Sequence, residues 1–145
     1  MKTIFLILLP AFLHTLTGAK PLPVAHLPVD APLRIGVTSR PATCDRKTTS
    51  GDRVSMHYQG TIYTSGEEFD SSIKREMPFE FNLGRGEVIQ GWDQGLMNMC
   101  VGEKRKLVIP SGLAYGEAGA GHFIKGGNTL VFKVELLEIM GEKEL

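Results

Sequence analysis

Only two cysteines, Cys44 and Cys100, occur in the 145 residues. They lie too far apart for a Cys-x-x-Cys redox pair, and neither has a histidine or second cysteine at zinc-ligand spacing. Neither sign of charge is in excess: sixteen lysines and arginines balance sixteen aspartates and glutamates. No broad field therefore draws the chain to nucleic acid or to an anionic membrane. No apolar run reaches the ~20 residues that a membrane-spanning helix needs. His14, His26, His57 and His122 are scattered, and H-E-x-x-H, G-x-S-x-G and phosphate-loop patterns are missing. Gly84-Arg85-Gly86 begins like G-x-G-x-x-G, but Ile89 occupies the third glycine position. The N-x-S/T sequon is absent as well. These absences leave binding, or a reaction that uses no nucleophile, metal or phosphate loop, and no cofactor is expected.

The N-terminus is better defined. Lys2 precedes an apolar run from Ile4 to Leu13, then come the small residues Thr17, Gly18 and Ala19. A basic start, a short apolar stretch and a small-residue cleavage site describe a secretory signal peptide over residues 1–19. In an oxidising compartment Cys44 and Cys100 are expected to form a structural disulfide, the alternative being two buried free thiols. The chain ends Glu142-Lys143-Glu144-Leu145, which shares its last two residues with the Lys-Asp-Glu-Leu retention signal. Residues 142–145 are thus a candidate tail for retention in the endoplasmic reticulum, against the plainer reading of a frayed acidic end.

Residues 20–33 carry Pro21, Pro23, Pro28 and Pro32 without periodicity and read as an extended linker outside the core. At 145 residues there is room for one hydrophobic core, assigned to residues 34–141. Seventeen glycines with few helical patterns predict turns, bulges and tight connections. Val54, Met56 and Tyr58 alternate with polar residues, as do Phe79, Phe81 and Leu83, and a short apolar run, Leu107 to Ile109, stops at Pro110. Leu130, Phe132, Val134 and Leu136 share a face, then the pattern slips to Leu137 and Ile139, which predicts a bulge. The spacing of Ile89, Trp92 and Leu96 predicts one helix from about Ile89 to Met97. Gly91 and Gly95 inside it each cost ~0.5–1 kcal/mol relative to alanine, which a close approach to the sheet would justify. One short helix with antiparallel strands makes an α+β domain.

One reaction needs only a shaped, dry pocket. Rotation about an X-Pro bond breaks amide conjugation, with a barrier near ~20 kcal/mol. The planar amide is stabilised by charge separation that water solvates. A pocket that removes this solvation, with a hydrogen bond to the twisted form, speeds the rotation about tenfold for each ~1.4 kcal/mol.

Several segments bear on this chemistry: Met56-His57-Tyr58-Gln59-Gly60, Phe69-Asp70-Ser71-Ser72, Pro78-Phe79-Glu80-Phe81, Gly84 through Gly95, Val101-Gly102-Glu103-Lys104, Leu113-Ala114-Tyr115-Gly116 and Thr129 through Leu136. Through them the chain from Arg34 to Met140 resembles the FKBP family of immunophilins, most of all its small secretory-pathway branch. The resemblance implies an antiparallel half-barrel sheet of five or six strands wrapped round the short helix. It also implies peptidyl-prolyl cis-trans isomerase activity toward proline-containing polypeptides, binding of macrolides such as rapamycin and tacrolimus, and a monomer acting in the lumen of the endoplasmic reticulum. A binding module without catalysis would use the same pocket. Carried over by position, Tyr58, Phe69, Phe79, Glu87, Val88, Ile89, Trp92, Tyr115 and Phe132 should line the pocket, with Trp92 as its floor and Ile124 in the loop above. Asp70 should lie near the twisting amide, oriented by Tyr58 and Arg75, and Asp70, Tyr58, Tyr115 and Phe132 should carry catalysis. The Ile89 N–H and the Tyr115 hydroxyl should donate to ligand carbonyls. Phe81 is expected to be core. Two departures stand out: the Tyr58–Phe69 hairpin is one residue longer than in the smallest members, and Lys125 replaces the usual proline after Ile124.

Overall fold

The computed structural model describes residues 23–141; the leader over residues 1–19 and the tail 142–145 lie outside the described residues. The elements are β1 (Arg34–Ser39), β2 (Arg53–Ile62), β3 (Glu68–Ser71), β4 (Phe79–Asn82), α1 (Gln90–Gly95), β5 (Lys104–Ile109) and β6 (Leu130–Met140). All six strands join one antiparallel sheet in the order β1-β5-β6-β2-β3, with β4 also paired to β2. Strand β2 is its spine. One side runs along β6 for its whole length, and the other is shared between β4, at Arg53–Met56, and β3, at Gln59–Thr61. None of the helices among the described residues is long and apolar enough to cross a membrane.

Period-two alternation accounts for the inner face. Val54, Met56, Tyr58 and Ile62 on β2 are buried, as are Leu130, Phe132, Val134 and Leu136 on β6. The expected slip after Leu136 is present: Ser55 pairs with Glu138 and Met56 with Leu136, so Leu137 is the extra residue of a bulge.

Helix α1 lies over this face, and its glycines are explained by distance. A Cβ at Gly91 would meet the Ile109 side chain at 2.5–2.7 Å, and one at Gly95 would meet the Leu107 methyls at 2.9–3.0 Å. The backbone of α1 therefore touches β5 where any other residue would hold it off. The helix is shorter than its periodicity suggested, ending at Gly95 with Leu96 as the cap residue. Arg105 explains the stop, donating to the carbonyls of Gly95 (2.9 Å), Met97 (2.8 Å) and Asn98 (3.0 Å). Arg105 also pairs with Glu103, both buried. That buried charge hid the start of β5: the apolar run begins at Leu107, but the strand begins at Lys104.

Two elements had no signal in the pattern. Strand β1 is exposed along all six residues, and β3 has only four. Residues 23–33 have no regular secondary structure apart from a turn, but they are fastened to the domain. His26 accepts from the Thr129 N–H at 3.0 Å, the Leu27 N–H donates to Thr129 Oγ1 at 2.8 Å, and the Val29 carbonyl accepts from the Gly112 N–H at 3.1 Å. Leu33 packs against the core.

Cys44 and Cys100 form a disulfide with Cα atoms 5.6 Å apart, closing a loop of separation 56. Cross-linking a loop of this length is worth about 4 kcal/mol in the chain-entropy model. Chemical denaturation followed by Trp92 fluorescence should therefore show a loss on the order of 4 kcal/mol on reduction. Coincident curves for oxidised and reduced protein would contradict a stabilising role for the bond.

Candidate active site

A cavity of about 180 Å³ opens on the inner face between α1 and the β2–β3–β6 corner. Its walls are Tyr58, Phe69, Asp70, Phe79, Glu87, Val88, Ile89, Trp92, Tyr115 and Phe132. Each element contributes for a local reason. Tyr58 is an inward position of β2, Phe132 of β6 and Phe79 of β4; Phe69 and Asp70 come from β3, and Trp92 from the first turn of α1. Because α1 is pressed onto β5, the indole reaches the bottom of the bowl. It stands edge-to-face with Tyr58 (5.0 Å), Phe132 (5.2 Å) and Phe79 (5.9 Å), and such pairs contribute ~0.5–1.5 kcal/mol each beyond burial. Phe69 meets Phe132 edge-on at 5.5 Å. Phe81 is 3% exposed and stacks behind Phe79, as a core residue should.

The polar side of the bowl is one network. Asp70 accepts from the Tyr58 hydroxyl, the Arg75 guanidinium and the Ser71 N–H, and Arg75 also donates to Tyr58 Oη at 2.9 Å. Burial works to raise the Asp70 pKa. The hydrogen bonds from Tyr58 and Arg75, with the guanidinium charge, outweigh it and hold the carboxyl below the usual carboxylate range. The Tyr58 phenol is pushed up by burial and by its bond to Asp70. Burial, and then the Asp70 charge, also raise Tyr115. At neutral pH the site thus presents two protonated phenols and the Asp70 carboxylate, with a second carboxylate, Glu87, on its wall.

Two expected residues stand apart from the walls. Arg75 lies behind Asp70 and Tyr58, with its guanidinium 5.8 Å from the Tyr58 ring centroid, and touches the cavity only through them. Ile124 is 8% exposed and packs into the hydrophobic core, drawn in by its bridge to Ala120. The exposed aromatic of that loop is instead Phe123, at 63%.

Ser72 and Asp93 are positioning groups that had no place in the expected site, while Glu87 was expected on the cavity wall. Ser72 Oγ accepts from the Tyr58 N–H at 2.8 Å and lies 2.9 Å from His57 Nδ1, which locks the strand carrying Tyr58. Asp93 accepts from the N–H groups of Gly84 (2.8 Å) and Gly86 (3.0 Å), both glycines having positive φ. It thereby pins to α1 the turn that delivers Val88 and Ile89. Glu87 accepts from the Asn82 N–H (2.6 Å) and Asn82 Nδ2 (2.9 Å), and these bonds hold its carboxyl below the usual range. Short polar residues flanking a turn are the only signal for such roles. Ile89 precedes the first turn of α1 and accepts there from the Trp92 N–H at 2.9 Å. Its own N–H lies outside the helical ladder.

A larger cleft of about 870 Å³ lies elsewhere, among Arg46, Asp52, Arg53, Glu80 and Arg85. It is rimmed by charges that pair with one another, Arg46 with Asp52 and Arg53 with Glu80. It has no aromatic floor, so size alone does not make it the better site.

The family model described as FKBP-type peptidyl-prolyl cis-trans isomerase matches residues 44–137. The chain belongs to this family. It is a peptidyl-prolyl cis-trans isomerase, and relatives along most of its length agree. It is 49% identical over 141 residues to "FK506-binding protein 2" of Dictyostelium discoideum, covering 96% of this chain and 99% of that protein. It is 58% identical over 113 residues to the human "Peptidyl-prolyl cis-trans isomerase FKBP2", covering 78% and 79%. To "FK506-binding protein 2B" of Rhizopus delemar it is 65% identical over 109 residues, 74% of this chain but 52% of that longer protein. Among solved structures, "Crystal structure of AtFKBP13" matches with a TM-score of 0.67 and 34% identity over 74% of this chain and 93% of that one. The six-stranded sheet and the single α-helix of the described residues are the FKBP fold.

The Asp70 network should show in the acid limb of stability of this FKBP domain. A carboxyl whose folded pKa is depressed contributes stability above its unfolded value, ~3.9, and loses it as pH falls through the folded value. Asp70→Asn should therefore lower the thermal midpoint at neutral pH, and the gap to wild type should close as pH drops below about 4. A gap that persists unchanged into acid would show that the charge of Asp70 does not matter to the fold.

Proposed function

We propose that the aromatic cavity is where this isomerase takes up proline-containing segments of polypeptides folding in the secretory pathway. The observation that carries this reading is the pairing of a dry aromatic floor, Trp92 with Tyr58, Phe79 and Phe132, with one oriented carboxylate at its edge. A proline ring lowered onto Trp92 brings its preceding amide to the level of Asp70. There the aromatic walls remove the water that stabilises the planar, charge-separated amide. The Ile89 N–H and Tyr115 hydroxyl donate to substrate carbonyls and hold the chain while the bond turns. The Asp70 carboxylate, kept charged by Tyr58 and Arg75, acts on the amide dipole as it reorients. No bond is made or broken and no proton need move. Macrolides such as rapamycin and tacrolimus would occupy the same bowl, since a preformed apolar cavity with few polar groups suits both.

The leader-like N-terminus and the Cys44–Cys100 disulfide support an oxidising lumen, the endoplasmic reticulum, as the working compartment. The four C-terminal residues would retain the protein there. Deleting 142–145 should shift protein from the lumen to the medium, and an unchanged distribution would refute retention by this tail.

The floor and the rim should fail differently. Trp92→Ala should weaken both turnover and macrolide affinity and cost ~3–5 kcal/mol of stability. Asp70→Val should lower turnover more than macrolide affinity, because binding follows buried apolar area at ~25 cal/mol per Å². Phe81→Leu should change stability alone. Protease-coupled isomerisation, macrolide titration and thermal melts decide the matter. Wild-type turnover in Asp70→Val, with lost turnover in a folded Phe81→Leu, would place the site elsewhere.

A further inference from the structure

We infer that Gly60 is a positioning residue for the reaction: its missing side chain makes the space in which the Phe69 and Phe132 rings form one wall of the proline cavity. The inference rests on the cavity being the reaction site.

Position 60 is where strand alternation calls for a side chain. Val54, Met56, Tyr58 and Ile62 all point inward on β2 and are buried, and Gly60 falls in the same series between Tyr58 and Ile62. Glycine within a strand forgoes packing and is disfavoured unless something else approaches closely. The backbone does not require it, since Gly60 is absent from the positive-φ residues. What requires it is space. A Cβ there would lie 2.6 Å from Phe69 Cζ, 2.8 Å from Phe69 Cε2 and 2.9 Å from Phe132 Cε1. All three are ring atoms of buried or half-buried aromatics, not the free end of a flexible chain.

Register places this gap at the site. Across the sheet Gly60 pairs with Asp70 on β3 and with Phe132 on β6. It is therefore the residue between the carboxylate strand and the aromatic strand, one inward step from Tyr58. The rings it accommodates meet edge-to-face at 5.5 Å, and both line the cavity. With a methyl at position 60 the two rings cannot keep these places. Ile62 and Leu130 close off the sheet beyond them, both buried, so the side left open to displaced rings is the cavity. A single methyl at this position should narrow the cavity by displacing the two rings of its wall.

The test is a cycle of purified Gly60→Ala, Phe69→Leu and the double variant, with Trp92→Ala as reference for the cavity itself. Protease-coupled isomerisation of a proline peptide gives kcat/KM, and thermal melts give the midpoint of each. Gly60→Ala should lose about tenfold or more in kcat/KM, or ~1.4 kcal/mol of transition-state stabilisation. Phe69→Leu removes the two ring atoms nearest position 60 and leaves the Phe132 contact at 2.9 Å, so the penalty of Gly60→Ala should be smaller in the Phe69→Leu background than in wild type. An effect of position 60 that does not run through the Phe69 ring predicts instead that the same penalty recurs in both backgrounds. Should Gly60→Ala fail to fold, the double variant should fold, with a kcat/KM within about tenfold of Phe69→Leu. Wild-type kcat/KM in Gly60→Ala, or equal penalties in the two backgrounds, overturns the positioning role while a dead Trp92→Ala leaves the cavity reading intact. Full activity in both Trp92→Ala and Phe69→Leu overturns the cavity reading, and the role of Gly60 with it.

Discussion

Two glycines one helical turn apart let α1 lie against β5 closely enough that a Cβ on either would strike Ile109 or Leu107. The working geometry depends on that contact. A six-residue helix is too short to persist in water on its own propensity, and two glycines weaken it further, so its position and its existence both come from packing. Trp92 sits between the glycines, and the same approach that presses the backbone onto β5 drives the indole under Tyr58, Phe79 and Phe132. Raising the helix by the width of a methyl would lift the floor of the cavity with it. The framework holds the helix from both ends: Asp93 binds the turn before it, and the buried Arg105–Glu103 pair caps the carbonyls after it.

Against this apolar floor the fold sets the Asp70 carboxylate and keeps it in place. Asp70 is bound by a phenol, a guanidinium and a backbone N–H at once. The gain from these bonds exceeds the cost of partial burial, which is why the carboxyl stays ionised. Dry walls and a fixed negative charge oppose each other energetically, since an apolar site would rather neutralise a carboxylate. Arg75, outside the cavity, resolves the conflict. It supplies the counter-charge to Asp70 from outside the cavity wall.

The segment before β1 has a structural part as well. His26, Leu27 and Val29 bond to Thr129 and Gly112, which flank the loop that begins with Tyr115 and Gly116. The Lys125-containing, proline-free loop, with four glycines between Gly119 and Gly127, is thus tied at both roots by chain from outside the period-two pattern. The disulfide does similar work on the far side, anchoring the stretch before β2 to Cys100, soon after α1 ends.

Local pattern alone carried much of this. Alternation marked β2, β4 and β6 because each has one wet and one buried face, and the slip at Leu137 marked its own bulge. The paired glycines in a helical pattern announced a close approach before any partner was known. The motif match named the ten residues that line the cavity. Of these, Tyr58, Phe79 and Phe132 fall on the inward phase of those strands and Trp92 in the first turn of α1, while the other six come from β3 and from turns. Residues whose roles depend on a neighbour distant in sequence were not legible. Arg105 reads as part of a lysine-rich run, and only the carbonyls at the end of α1 make it a buried cap. Strand β1 has no face of its own to bury, so only pairing with β5 defines it. Ile124 went to the core and Phe123 to solvent because a bridge to Ala120 turned the loop one way. The amino acids themselves determined which faces are apolar, where the chain must turn and that the cavity would be mainly aromatic with Asp70 and Glu87 at its wall. Tertiary structure alone decided which rings meet, at what distance, and where glycine must stand to let them, because those are excluded-volume relations between strands that the linear order keeps apart.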